Sequence, residues 1–145
     1  MFEHPEYEQY FASRLCSEGE DLDTYRSLFD FREPATVKRR EFRCSQARET
    51  LERRYGSVCQ LQFSELCDLN NPTEVDHVIP LSSNELNKKI RGAKPLSAGK
   101  KVAAESFGSN HISNLVLACK RCNAFKKHRF LERDAIRRIL ESKGF

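Results

Sequence analysis

The sequence lacks any apolar run of about 18 residues, the length that a membrane-spanning helix needs, so a membrane span is excluded. We also expect no secretory signal, because the opening residues MFEHPEYEQYF are acidic where a signal peptide is basic and then apolar. The chain contains neither an internal repeat nor a low-complexity tract. We therefore expect a cytoplasmic protein, in a compartment where disulfides are rare.

Charge is distributed unevenly along the chain. The 145 residues suit one domain with a modest core, and 32% of them are charged. Residues 1–33 carry nine acidic and three basic side chains, whereas residues 34–145 carry 22 basic and 12 acidic ones. The net charge of +4 thus combines −6 in the first segment with +10 in the rest. A basic body fits a polyanionic partner, because lysine and arginine neutralise phosphates, but it also fits an ordinary solvated surface.

Three regions are predicted along the chain. Residues 1–54 form an acidic, aromatic-rich helical segment packed on the core, residues 55–128 form the core with a basic insert at 84–110, and residues 129–145 form an amphipathic helix. The aromatic residues of the first segment, too many for a disordered tail, are Phe2, Tyr7, Tyr10, Phe11, Tyr25, Phe29 and Phe31. The apolar face of the last helix comprises Leu131, Ala135, Ile136, Ile139 and Leu140.

Local signals predict one helix and two strands around the core. SQARETLERRYG, residues 45–56, predicts a helix that Ser45 caps and Gly56 ends. The β-rich runs at 73–81 and 114–119 predict two short strands that pair with each other. The insert between them is a long basic loop, a feature that is usually functional in a compact domain.

Two cysteines two residues apart, Cys119 and Cys122, are typical of half a zinc site. Structural zinc takes four ligands, so two more must come from elsewhere in the chain. The best candidates are Cys59 and Cys67, which lie in a turn-rich segment just before the first predicted strand. Seven residues separate them, where two to four are usual, but the metal constrains only the positions of the sulfur atoms.

The remaining cysteines and histidines leave alternatives open. His111 or His128 can replace one thiolate in the zinc site. Cys16 and Cys44 have no partner at metal-binding spacing and are expected to be small buried hydrophobes. The alternative for all six cysteines is a set of buried free thiols.

Asp76 and His77 form the second notable feature. Adjacent strand residues point to opposite faces, so both serve one site only near a strand end, which Pro80 supplies. A carboxylate is a hard ligand for a cation such as magnesium, and a neutral imidazole can take a proton from water near pH 7. The alternative is that His77 is an ordinary core histidine.

The order of these features is that of a known family. EVDHVIPLS at 74–82 is followed by HISNLVLACKRCNAFKK at 111–127, so that Cys…Cys, Asp-His, Asn-Leu and Cys-x2-Cys-Asn-x2-Lys follow one another. The sequence from about residue 55 to 128 resembles the HNH endonucleases, the ββα-metal nucleases. The resemblance implies an α+β fold whose core of two short antiparallel strands and a helix is stapled by zinc and flanked by helices.

The resemblance also implies roles for individual residues. His77 matches the general base, and Asn114 matches the asparagine that orients that base. Asp76 and Asn123 match the ligands of a catalytic divalent cation, magnesium or another. Four thiolates match the structural zinc site: Cys59, Cys67, Cys119 and Cys122.

The length of the insert leaves one role open. There are 36 residues between His77 and Asn114, more than a compact family member needs. His111 is therefore a base, a ligand or merely a neighbour of the site. The ordinary alternatives are a turn residue for Asn114 and a helix N-cap for Asn123.

Basic side chains cluster in the insert and around the second cysteine pair. They are expected to contact phosphates, and Lys126 matches a basic position of the family. The predicted nucleic-acid contacts are Lys88, Lys89, Arg91, Lys94, Lys120, Arg121, Lys126, Lys127 and Arg129. The leading hypothesis is a metal-dependent endonuclease that hydrolyses DNA and forms a homodimer if it cuts both strands. The alternatives are a nuclease acting on RNA and a non-catalytic zinc module that binds nucleic acid or protein.

Overall fold

A computed structural model of the protein describes residues 2, 5–32, 35–63, 65–81, 106–126 and 130–145. Most of the predicted basic insert falls outside these ranges. No helix within the described ranges is long and apolar enough to cross a membrane. The described part of the chain is mixed helix and sheet, with one two-stranded antiparallel sheet.

The first third of the chain is helical. α1 spans Pro5–Leu15 and begins with proline, which suits the first helical position because its missing N–H is not needed there. A 3-10 helix at Leu22–Leu28 follows, capped by the Asp21 side chain, which accepts from the N–H of Asp23. α2 spans Ala35–Glu41.

α3 spans Cys44–Tyr55 and ends, as predicted, at Gly56, whose φ of 80° lies in the left-handed region. The prediction that Ser45 caps this helix is wrong. The helix begins one residue earlier, so Ser45 lies inside it, and Arg43 occupies the N-cap position without a side-chain cap bond.

The sheet pairs β1, Glu74–His77, with β2, Leu115–Ala118. The register places Asp76 opposite Val116 and His77 opposite Leu115. Every residue of β2 is buried, because the strand packs between two apolar clusters. On one side the sheet packs against α3 through Leu51, and on the other side it packs into the main core.

The chain after β2 returns to the core in two short helices. α4 spans Lys120–Lys126 and lies against β1, and α5 spans Arg133–Ser142 and packs on α1. α5 buries Ile136, Ile139 and Leu140, three of the residues that helical periodicity assigned to its apolar face. Residues 106–110, the end of the predicted insert, are largely buried, and Gly108 forms an isolated bridge with Phe29.

Candidate functional site

Four cysteines from two distant parts of the chain meet at one point. The sulfur atoms of Cys59, Cys67, Cys119 and Cys122 all lie within 4.8 Å of one another. The sulfur atoms of Cys67 and Cys119 are 3.9 Å apart, close to the separation of about 3.8 Å that tetrahedral Zn–S bonds of about 2.3 Å give. A disulfide would need about 2.05 Å. The cluster is therefore suited to hold a metal ion, as the cysteine spacing predicted.

The segment between the first two cysteines explains how seven intervening residues are accommodated. The N–H of Cys59 donates to Leu69 O at 2.8 Å, so the two ends of the segment lie side by side. Gln62 adopts a left-handed φ of 52°, and its Nε2 donates to Cys59 O at 3.0 Å. This loop turns back on itself and delivers Cys67 to the second cysteine pair.

The electrostatics of Cys119 favour the thiolate, the form that binds metals. Burial by itself raises the pKa of this thiol, but backbone N–H groups of Cys122 and Asp68 donate to the sulfur and lower the pKa to about 7. Burial among the other thiols raises the pKa of Cys67. A cation bound to all four sulfur atoms would favour the ionised form of each.

Among the described residues, the other candidate ligands do not join this cluster. Cys16 is partly buried against the main core, in keeping with its predicted role, whereas Cys44 is exposed at the start of α3, so the prediction that it is buried is wrong. His111 is exposed, and its Nδ1 accepts from the N–H of Ser113, which caps the 3-10 helix at Ile112–Asn114. His128 lies outside the described residues.

Asp76 lies on the side of β1 that faces α4. Its Oδ2 is 2.7 Å from Lys126 Nζ, and the Lys126 side chain is only 1% exposed. Lys126 Nζ also donates to His77 O at 2.9 Å. The Oδ2 atom is buried and accepts no hydrogen bond of regular geometry among the described residues. Asp76 is thus a partly buried carboxylate whose buried Oδ2 is paired with the buried Lys126 ammonium.

Asn123 lies one helical turn before Lys126 and contacts the same strand. Its Nδ2 donates to Glu74 Oε2, and Glu74 is on the same side of β1 as Asp76 because strand residues alternate. Asn123 is inside α4, so it is not the N-cap of this helix. Glu74 was not among the predicted site residues, although its position two residues before Asp76 is a signal that the sequence contains.

His77 ends β1 and faces the opposite way, toward the N-terminal helices. Its Nε2 lies 2.9 Å from Asn110 Oδ1, and the Phe42 ring packs against the imidazole with centroids 5.0 Å apart. Burial lowers the pKa of His77, as do the charges of Lys126 and Lys38, against the opposing effects of Asn110 and Asp76. The imidazole is therefore neutral near pH 7, the state that a general base requires.

Asn114 is fully buried and clamps the turn that follows β1. Its Oδ1 accepts from the N–H of Ile79 at 2.7 Å, and its Nδ2 donates to the carbonyls of Ile79 and Ser109 at 3.0 and 2.8 Å. The N–H of Val78 donates to Asn114 O at 2.8 Å. Asn114 therefore holds the backbone beyond His77, whereas the imidazole itself is bonded by Asn110.

The predicted phosphate contacts fall into three groups. Lys120 and Arg121 are exposed on α4, next to the cysteine cluster, and Lys126 is buried against Asp76. The other six lie outside the described residues: Lys88, Lys89, Arg91, Lys94, Lys127 and Arg129.

Comparison of the chain with family models, with curated proteins and with solved structures gave no match in any of the three. An assignment of function therefore depends on the residues and their geometry.

Proposed function

We propose that this chain is a metal-dependent endonuclease of the HNH type that hydrolyses phosphodiester bonds in DNA. One observation carries the proposal. β1, which ends in Asp76 and His77, lies against α4, and α4 begins directly after Cys119 of the cysteine cluster. A metal in the cluster would hold in place the helix that presents Asn123 and Lys126 to this strand.

We assign zinc to the cysteine cluster. Four thiolates at mutual distances below 4.8 Å form a closed set with no open position, which is typical of a structural zinc site. Soft sulfur ligands also disfavour magnesium and calcium, which prefer oxygen.

Asp76 and Asn123 would hold a second, divalent cation such as magnesium. The Asp76 carboxylate, whose Oδ2 faces Lys126 Nζ at 2.7 Å, supplies hard oxygen ligands. Asn123 engages Glu74 through its amide nitrogen, so the amide oxygen of Asn123 is the atom with ligand chemistry. When bound, such a cation supplies positive charge against the phosphate and the leaving oxygen.

His77 is assigned the proton transfer. The low pKa that burial gives the imidazole keeps it neutral at pH 7, so that it can take the proton of the attacking water. Asn114 fixes the backbone turn beyond His77 with three hydrogen bonds, and this holds the end of β1 in place.

The basic balance of residues 34–145 and the exposed Lys120 and Arg121 favour a nucleic acid as substrate. The proposal is tested by incubating the purified protein with supercoiled plasmid, with and without magnesium or manganese. His77→Ala is expected to abolish the metal-dependent nicking. His111→Ala is the matched control, because His111 is exposed and caps a 3-10 helix, and it is expected to retain cleavage.

Three other outcomes would change the proposal. Cleavage that survives His77→Ala would remove His77 as the base. Cleavage of RNA in preference to DNA would change the substrate. If the protein cleaves neither DNA nor RNA with any divalent metal, the proposal that it is a nuclease is rejected.

The second candidate is a non-catalytic zinc module that binds nucleic acid or protein. The ion pair between Lys126 and Asp76 favours it, because the lysine neutralises the partly buried carboxylate without a metal ion. For this candidate, retained nucleic-acid binding without cleavage is the expected result, and His77→Ala would leave that binding unchanged.

A further inference from the structure

We infer that Asn110, held by helix α2, is a positioning residue that fixes the proton of His77 on Nε2 and leaves Nδ1 as the nitrogen that accepts a proton. This inference rests on the proposed function in so far as it concerns cleavage. It brings α2, which lies outside the part of the chain that resembles the HNH family, into the active site.

The orientation of the Asn110 amide follows from its two partners. One end of the amide lies 2.6 Å from Lys38 O, and a carbonyl oxygen can only accept. The atom that faces Lys38 must therefore be Nδ2, and the atom 2.9 Å from His77 Nε2 must be Oδ1. Because an amide oxygen can only accept, Nε2 must carry the hydrogen.

The remaining ring nitrogen is then the one with a free lone pair. A neutral imidazole has one N–H, so Nδ1 is unprotonated when Nε2 donates to Asn110. Nδ1 is also the ring nitrogen nearer the backbone of His77, at the end of β1 where Asp76 lies.

The carbonyl of Lys38, which accepts from Asn110, belongs to a residue whose side chain is itself firmly held. The Lys38 side chain is fully buried, and its Nζ donates to Asp30 O at 2.6 Å and to Gly108 O at 2.7 Å. Lys38 thus contacts this part of the chain twice. Its side chain binds Gly108 O, just before Asn110, and its backbone carbonyl accepts from Asn110 Nδ2. The Phe42 ring, on the chain just beyond α2, packs against the imidazole and limits its rotation.

The first test needs no catalysis. Proton–nitrogen NMR of the folded protein, at a pH well above the ordinary histidine pKa, is expected to show a His77 Nε2–H that exchanges slowly with water. His77→Gln identifies the resonance by removing it. A proton on Nδ1 of His77 would overturn the inference whether or not the protein cleaves DNA.

The second test separates positioning from a merely structural role. Asn110→Ala is expected to lose the protected Nε2–H signal and to lower kcat by about 10- to 100-fold with little change in KM, the loss typical of groups that orient a reacting side chain. Gln46→Ala is the matched control, because Gln46 is an exposed amide on the same open cavity of about 250 Å³ as Asn110. It is expected to keep both signal and rate.

The two readouts distinguish the failure of this inference from the failure of the proposed function. A protected Nε2–H in a protein that cleaves nothing would reject the nuclease and leave the hydrogen-bond chain established. Cleavage by Asn110→Ala at the unaltered rate, with the protein folded, would show that Asn110 does not position the base.

Discussion

The cysteine cluster and the Asp76–His77 site both include residues of α4, yet they are built in different ways. The cluster has four chemically identical side chains that converge on one point. At the second site each side chain already has a protein partner of its own. Asp76 is paired with Lys126, Asn123 with Glu74, and His77 with Asn110.

This difference shows which site depends on protein partners for its geometry. Four sulfur atoms need only be brought together, since the metal itself then fixes their geometry. The Asp76–His77 site needs partners that lie up to 49 residues away from β1 and that orient each group separately. Perturbing the cluster should therefore affect the whole fold, whereas perturbing the second site should affect one contact at a time.

The largest expected effect is that of breaking the cluster. A structural zinc ion contributes an apparent binding free energy of about 10–16 kcal/mol, as much as or more than the total stability of a typical domain, about 5–15 kcal/mol. Cys119→Ser, or removal of the metal with a chelator, is therefore expected to unfold the core. Circular dichroism and metal analysis check this, with about one zinc per chain expected in the unaltered protein.

Cys44→Ser is the control for this prediction, because Cys44 is exposed and lies outside the cluster. It is expected to retain both the metal and the melting temperature. If Cys67→Ser binds zinc as well as the unaltered protein does, the ligand set is wrong at the position where the spacing was unusual.

An intermediate effect is expected at the buried ion pair. Lys126→Met leaves the Asp76 carboxylate without its cation, and breaking a buried pair from one side destabilises a protein by about 3–5 kcal/mol. Urea unfolding should show this loss in the free energy of unfolding, with the zinc content unchanged. Such a result would separate the second site from the cluster.

Two further variants decide what Lys126 does. Lys126→Met combined with Asp76→Asn is expected to recover part of the lost stability, because the uncompensated charge is gone. Lys120→Met, on the exposed face of α4, should change stability by no more than about 0.5 kcal/mol. Unaltered stability of Lys126→Met together with weaker DNA binding would instead favour the phosphate contact that the family resemblance implies.

Local patterns predicted the regular elements well, because their signals lie within the elements themselves. The helix over 45–56 is α3 at Cys44–Tyr55, and the two β-rich runs contain β1 and β2. The Ser45 cap was wrong because the starting point of a helix depends on how the preceding chain enters it, and Arg43 occupies that position. The cysteine cluster was predictable because the pair at 119 and 122 demands two further ligands.

The partners of the second site were not predictable in the same way. Nothing close to Asn110 in the sequence indicates that it contacts His77, since the contact depends on Lys38 of α2. The burial of Lys126 was also missed, because a lysine in a basic run is ordinarily solvated, and only the packing of α4 on β1 places it beside Asp76. Contacts between distant segments carry no local signal, so the structure is needed to find them.

The smallest expected effect is at Gly108, where the end of the insert passes the turn beyond β1. A Cβ at this position would lie 2.0 Å from Ile79 O and 2.6 Å from Pro80 O, both backbone atoms that cannot move aside. Gly108→Ala is expected to lower the free energy of unfolding by about 1–3 kcal/mol in urea titrations. It should also weaken the His77 Nε2–H signal, because Asn110 lies two residues further along.

Gly19→Ala is the control for backbone conformation, since Gly19 has a φ of 83° but open space around it, and it should not alter that signal. If Gly108→Ala leaves the Nε2–H signal and the stability unchanged, the 106–110 segment does not determine how the imidazole is held.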